Sequence, residues 1–302
     1  MKKKFYLKFV TFVTAIIFLI DKFTQIIFSK QNVKNFLPKT HDIIEKKQYY
    51  TANIDNKILN FFCPSELSLI RVQTLYTKEP ETLNWINDFK VDNEKLIFWD
   101  IGSNIGLYSI YAATKHEHLN IISFEPSTSN TRILSRNISI NNLSDKIKIF
   151  QLPLCDKPNI FSNFNETNFI EGGAESSFDN KIDYRGKILT PDRIKNKYQI
   201  FGTSIDHLIE NKILDAPDYI KIDVDGIEHL ILSGAKNLLK DRKLKEILIE
   251  LTPEFYSQIN LIEDILLNSG FKKTISTNKN LLINPNYKLK PGETVNSIFK
   301  RT

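Results

Sequence analysis

Asp100-Ile101-Gly102-Ser103-Asn104-Ile105-Gly106 is the stretch that decides the fold. It follows the apolar run Leu96-Ile97-Phe98-Trp99 and precedes Leu107-Tyr108-Ser109-Ile110-Tyr111-Ala112-Ala113. A short apolar run, a glycine turn and apolar residues at helical spacing predict a buried parallel strand, a tight turn and a helix. Such a turn can bring a ligand to backbone N–H groups at a helix N-terminus.

Two glycines spaced G-x-x-x-G fall short of the three-glycine G-x-G-x-x-G of dinucleotide sites. Asp100, at the strand tip before the turn, would repel phosphate. It suits a cation with an amino-acid end, which describes S-adenosylmethionine. The plainer alternative is an ordinary strand–turn–helix connection in which Asp100 only caps.

Outward from this stretch the pattern alternates. Asn120 to Phe124, Lys146 to Leu152, Tyr219 to Val224 and Glu246 to Leu251 read as further strands. Thr128 to Ile140, Gly226 to Leu239 and Pro253 to Asn268 read as helices, the last closed by Gly270. Residues 157–200 have no clean period and read as an irregular insertion with short strands. Phe271 to Ser276 and Leu281 to Ile283 read as a terminal hairpin, with Ser297 to Lys300 as a last short strand. Strand–helix alternation ending in antiparallel strands predicts a Rossmann-like, doubly wound α/β sheet with an N-terminal helical extension. The expected division is 1–77, a basic helix and connector, and 78–302, the α/β domain.

The net charge of +6 is unevenly placed. Residues 1–60 hold 11 lysines against 4 acidic residues, whereas the rest holds 30 basic against 31 acidic residues. A near-neutral body argues against a nucleic-acid partner, which would call for a basic face. Two cysteines, Cys63 and Cys155, show no metal-ligand spacing and no disulfide framework, and read as buried thiols of a cytoplasmic protein. The N-terminal segment opens with Met1-Lys2-Lys3-Lys4, and its longest uncharged stretch is the twelve residues Phe9 to Ile20. That is short of the roughly 20 residues of a spanning helix. Phe5, Phe9, Phe12, Val13, Ile16, Ile20, Phe23 and Ile27 share one helical face, which suits an amphipathic helix. It could pack on the body, make peripheral membrane contact through residues 1–30, or act as an uncleaved anchor, since no small-residue cleavage site follows.

In doubly wound sheets ligands bind beyond the carboxyl ends of the strands. Each predicted strand tip here is acidic: Asp100, Glu125, Asp156, Asp223 with Asp225, and Glu250. Glu125 is placed to accept bonds from two ribose hydroxyls. Asp156 could accept from an adenine amine, or merely form a turn before Lys157-Pro158. Asp223 and Asp225 alternate and so are expected to point the same way. Glu228 falls in the first turn of a helix, where a carboxylate also serves as a cap. His207 and His229 read as ordinary surface or core histidines, His116-Glu117-His118 as a loop, and Asn284-Pro285-Asn286-Tyr287 as a turn.

Together these residues resemble the FkbM family of S-adenosylmethionine-dependent methyltransferases. The matching segments are Phe98 to Ser109, Phe124-Glu125-Pro126-Ser127, Leu154-Cys155-Asp156-Lys157, Gly172-Gly173-Ala174-Glu175-Ser176-Ser177, Thr203-Ser204-Ile205-Asp206 and Ile220 to Glu228, continuing to Leu232-Ser233-Gly234-Ala235. The resemblance implies a seven-stranded methyltransferase sheet and O-methylation of a hydroxyl on a sugar, glycan or secondary metabolite. It implies cofactor contacts at Asp100, Gly102, Asn104, Gly106, Glu125 and Asp156; Ser103 is a further candidate cofactor contact, and Ser177 and Glu250 are candidate acceptor contacts. Asp225 stands where the family often has Glu, and Ser103 where Ala is usual.

The chemistry expected is in-line attack of a hydroxyl on the sulfonium methyl, with Asp223 or Asp225 taking the proton and Glu228 or Glu250 orienting the acceptor. A divalent cation held by the acidic cluster is an alternative way to activate the hydroxyl. The rival functions are a nicotinamide-dependent oxidoreductase and a non-catalytic, membrane-associated binding protein on the same scaffold.

Overall fold

The computed structural model describes residues 2–28, 36–90 and 95–302. Two compact units divide the chain, Met1–Tyr49 and Tyr50–Thr302, so the division falls earlier than the 77/78 boundary expected. In the first unit, α1 is Lys2–Ile27 and α2 is Phe36–Glu45. Asp21 joins the two helices by accepting from the Gln25 side chain at 2.8 Å and the Leu37 amide at 3.2 Å. Residues 29–35 of the expected connector lie outside the described residues.

The larger unit opens with a hairpin of β1 (Tyr49–Ile54) and β2 (Lys57–Phe62). Its two-residue turn, Asp55-Asn56, has left-handed φ of 52° and 63°, the geometry that matches strand twist. Three helices follow: α3 (Glu66–Gln73), α4 (Leu75–Lys78) and α5 (Pro80–Asn87), the last with Pro80 in its first turn, where no N–H is needed. The strand–helix alternation then runs β3 (Leu96–Ile101), α6 (Leu107–Lys115), β4 (Leu119–Phe124), α7 (Thr128–Ile140) and β5 (Ile147–Phe150). An inserted segment carries β6 (Ile160–Glu166), β7 (Ser176–Phe178) and β8 (Asn196–Gly202). The chain closes with α8 (Ile205–Glu210), β9 (Tyr219–Ile222), α9 (Glu228–Ser233), β10 (Glu246–Leu251), α10 (Tyr256–Asn268), β11 (Phe271–Thr277), α11 (Lys279–Ile283) and β12 (Val295–Arg301).

The central sheet has seven strands in the order β11-β12-β10-β9-β3-β4-β5. Its β3–β4, β4–β5, β3–β9 and β9–β10 pairs are parallel, and β12 runs antiparallel to both β10 and β11. All six residues of β3 are buried, as a strand covered on both faces requires. One face packs through Trp99, Ile122, Ile220 and Ile247. The other meets α5: Phe89 stacks on Tyr219 at 3.9 Å between ring centroids, and the Trp85 indole donates to Glu246 at 2.9 Å. Strand order reverses between β3 and β9, which opens a crevice at their carboxyl ends.

Two local expectations change. The insertion at 157–200 is an antiparallel three-stranded sheet, β7-β6-β8, in continuous register from Ile160↔Gly202 to Glu166↔Asn196. The terminal hairpin is β11 with β12, because residues 281–283 are helical. Asn278 caps that helix by accepting the Asn280 and Leu281 amides at 3.0 and 3.1 Å, which starts a helix where a turn between strands was expected.

Candidate active site

The turn after β3 is built to bring two chain segments together. Gly102 has φ +84°, and a Cβ there would lie 1.8 Å from the Asp223 carbonyl oxygen, so only glycine lets the β9 exit close over it. The amides of the turn are all occupied within the protein. Gly102 and Ser103 both donate to the Phe124 carbonyl at 3.0 Å, Asn104 to Glu125 Oε2 at 2.8 Å, Ile105 to the Asn104 side chain at 3.0 Å and Gly106 to the Ser103 carbonyl at 2.8 Å. The expectation that a ligand meets bare N–H groups here is therefore corrected: the turn offers shape, and its donors are taken.

Glu125, immediately after β4, is buried and receives a second amide, Ser127, at 2.8 Å on Oε1. Burial pushes its carboxyl up to about 7, against the pull of the Ser127 and Asn104 amides. Its oxygens accept these two amides and retain acceptor capacity toward the cleft that Glu125 lines.

Opposite stands a charged wall. Lys221, 1% exposed, donates to Asp223 at 2.6 Å, and Lys78 pairs with buried Glu79 at 2.5 Å. Burial raises Asp223, but Lys221 and then Lys78 outweigh it and hold the carboxylate below its usual range. Burial, then Asp223 and Glu79, push Glu250 well above the usual carboxylate range. Oxygens of Glu79, Asp223 and Glu250 lie within 4.8 Å of one another. Asp225 differs from its neighbours. Its φ is +63°, its Oδ2 accepts the Glu175 amide at 2.6 Å, and burial with the Asp223 charge lifts it to about 6. Because the strand ends at Ile222, Asp223 and Asp225 do not alternate on one face as expected; both reach the cleft through the bend.

A strap over the cleft joins these walls. Asn130 holds it at both ends of one amide, accepting from the Gly172 N–H at 2.8 Å and donating to the Gly173 carbonyl at 3.1 Å. The Asn104 side chain donates to the same carbonyl at 2.7 Å, and Arg71 Nε donates to the Gly172 carbonyl at 2.6 Å.

Of the residues singled out from the sequence, Gly102, Asn104, Glu125, Asp223, Asp225 and Glu250 line one cleft. Ser103 donates to the Phe124 carbonyl and borders an adjoining recess. The others are placed elsewhere. Asp100 is fully buried beneath the turn, where Oδ2 accepts from Ser109 at 2.6 Å and Oδ1 has no partner among the described residues. Gly106 starts α6 with φ +87°, packed against Leu134. Asp156 is exposed and off the cleft, six residues beyond the end of β5 rather than at its tip. Ser177 donates to the Asn180 carbonyl and faces away, while its strand neighbours Ser176 and Phe178 line the cleft. Glu228 is a buried brace: Oε1 accepts the Val224 and Gly226 amides and Oε2 accepts from Gln258 at 2.7 Å, so its carboxyl, pushed up to about 7 by burial, has no reach into the cleft. Sequence reasoning missed Arg71, Lys78, Glu79 and Asn130. Arg71 and Asn130 act on residues far along the chain, whereas Lys78–Glu79 and Lys221–Asp223 are charge pairs between sequence neighbours whose place at the cleft only the fold reveals.

A family model described as the methyltransferase FkbM domain matches residues 100–273, more than half of the chain. The chain belongs to that family. As an FkbM-domain protein it is an S-adenosylmethionine-dependent methyltransferase. Two curated relatives are similar to it. Methyltransferase sdnD of Sordaria araneosa is 26% identical, with 58% of this chain and 73% of that protein covered. Hexuronic acid methyltransferase AglP of Haloferax volcanii is also 26% identical, and the match covers 48% of this chain and about half, 52%, of that protein. The methyltransferase FkbM of Methylobacillus flagellatus KT aligns with a TM-score of 0.41 at 17% identity, covering 78% of this chain and 55% of that one. That structural likeness is loose, and membership rests on the sequence match. The nicotinamide alternative is set aside with it.

Proposed function

We propose that this FkbM-domain enzyme methylates a hydroxyl of a sugar, glycan or secondary metabolite, with Asp225 as the general base. The observation that carries the reading is Asp225 itself: a cleft carboxylate fixed by the Glu175 amide, with Oδ1 free of hydrogen bonds among the described residues and a pKa of about 6. A hydroxyl must lose its proton as it is methylated, and a base poised just below neutral pH serves that need. Asp223, held anionic by Lys221, is a weaker base and supplies fixed negative charge instead.

The residues present fit the cofactor. Glu125 retains acceptor capacity for the ribose hydroxyls, and Pro126, Leu154 and Ile231 give an apolar wall for the base. When bound, S-adenosylmethionine supplies a methyl group on a positively charged sulfur. Asp225 would take the hydroxyl proton as the acceptor oxygen received that methyl, the carbon–sulfur bond electrons staying with S-adenosylhomocysteine and the product being a methyl ether. Glu250 lines the same cleft and is placed to position the acceptor. Transfer of labelled methyl into a panel of uronic acids, neutral sugars and polyols tests this. A product stable to mild base, as an ether is, supports the reading; a base-labile ester or an N-methyl product overturns it.

We also propose that α1 attaches the enzyme to a lipid bilayer. Lys4–Ile27 is long and apolar enough to cross one by length and composition. Leu7 and Phe18 share the side carrying Thr11, Thr14 and Lys22, so that side too offers apolar contact. Thr11 and Thr14 return their hydroxyls to the Leu7 and Val10 carbonyls, which leaves few polar groups facing out. The full chain is expected to float with phosphatidylcholine–phosphatidylglycerol vesicles and to lose this when Phe9, Phe12 and Ile16 become lysine; a wild-type chain that stays in the soluble fraction rejects the attachment.

A further inference from the structure

An α-amino acid end on a ligand needs two opposite partners, a cation for its carboxylate and an anion for its ammonium group. At a glycine turn before a helix the carboxylate would ordinarily be met by backbone amides. Here those amides are closed to it, since residues 102–106 donate their N–H groups within the protein. A carboxylate beside this turn must therefore find a side-chain cation.

A recess adjoining the main cleft runs along the turn, bordered by Gly102, Ser103, Asn104, Arg71, Thr74 and Asp223. The cations near it are not equivalent. Lys221 is committed to Asp223 and Lys78 to Glu79. Arg71 is not committed in this way. Its Nε donates to the Gly172 carbonyl at 2.6 Å, which fixes the guanidinium, and its two terminal nitrogens have neither ion pair nor hydrogen bond among the described residues. It sits in the last turn of α3, outside the 100–273 segment matched by the family model. A planar fork fixed at one nitrogen with two others free is suited to bidentate binding of an oxyanion. Asp223, which lines the same recess, adds negative charge there.

We propose that Arg71 binds the carboxylate of the methionine part of S-adenosylmethionine, so that a helix lying before the family domain completes the cofactor site. The inference rests on the reading that this cleft binds the cofactor. It places the amino-acid end along the turn and leaves the base, Asp225, for the acceptor. It also gives the strap a second function, because the Gly172 carbonyl that closes the cleft also orients the arginine.

Two ligands that differ by the amino-acid end make the test. S-adenosylhomocysteine carries the carboxylate; 5′-methylthioadenosine keeps the adenosyl and sulfur but lacks it. Calorimetric titration of both into the full chain and into Arg71→Gln reads binding without turnover. Gln retains a donor for the Gly172 carbonyl, and Arg71→Lys retains the charge without the fork. Arg71→Gln is expected to weaken S-adenosylhomocysteine by about 10- to 100-fold, the worth of a charged hydrogen bond, and to change methylthioadenosine by less than about twofold. Arg71→Lys should fall between. Equal weakening of both ligands would mean that Arg71 acts only through the strap, and unchanged binding of both would mean that it serves the acceptor; either result overturns the proposal. A wild-type chain that binds neither ligand overturns the underlying cofactor reading instead.

Discussion

The two walls of the cleft are made of different things. The wall after β3 and β4 is main chain: left-handed Gly102 and Asn104, five engaged amides, and a single carboxylate, Glu125, aimed by one of them, Asn104, together with the Ser127 amide. The wall after β9 and β10 is side-chain charge, with Lys221, Asp223, Glu79, Lys78 and Glu250 balancing one another around a bend that turns at Asp225. The first wall fixes a shape. The second fixes where protons sit. A perturbation of the first should thus appear as lost cofactor affinity, and one of the second as lost turnover.

Asp225→Asn should give the largest effect. It keeps an oxygen for the Glu175 amide and removes the base, so kcat should fall about 10²- to 10⁴-fold with S-adenosylhomocysteine affinity unchanged. A variant that loses affinity in step with turnover would erase the distinction between the walls. Glu125→Ala is the mirror experiment. It frees the Asn104 and Ser127 amides and removes the ribose acceptor, and S-adenosylhomocysteine should bind about 10- to 100-fold more weakly by calorimetry.

The brace beneath the second wall predicts a third, smaller outcome. Glu228→Ala strands the Val224 and Gly226 amides and should cost about 1–3 kcal/mol in chemical denaturation. Glu228→Gln, which retains one acceptor oxygen, should cost less. Acidity sharpens the comparison further. Asp225 works as the anion, and its pKa of about 6 puts the loss of activity on the acid side. The kcat/KM for the acceptor should rise about tenfold from pH 5 to pH 7 and level off above, since only the ionised fraction is competent. In Asp225→Asn the residual rate should lack that step. The smallest expected effect is none: exhaustive EDTA treatment should leave the rate unchanged, because Lys78 and Lys221 already answer the charges of Glu79 and Asp223.

The same contrast explains what could be read without a structure. The strand–turn–helix at 96–115 was legible because burial on both faces leaves an apolar run and close approach leaves glycines. Glu125 was legible because it directly follows a strand. The role of Asp100 was misjudged, since sequence gives its position at the strand end but not that Ser109 rises beneath the turn to take its carboxylate. Glu228 was misjudged for a related reason: a carboxylate opening a helix can face a ligand or a preceding turn, and here two amides and Gln258 hold it to the turn. Arg71 and Asn130 left no trace, because each acts on the Gly172-Gly173 strap about 101 and 42 residues away along the chain.

Amide hydrogen exchange on the full chain, with and without S-adenosylhomocysteine, tests most directly where the cofactor goes. Slowed exchange confined to residues 102–106, 125–130, 171–175 and 223–226 is the predicted result. Protection at the opposite, amino-terminal ends of β3 and β4, or no protection at a saturating ligand concentration, would contradict it.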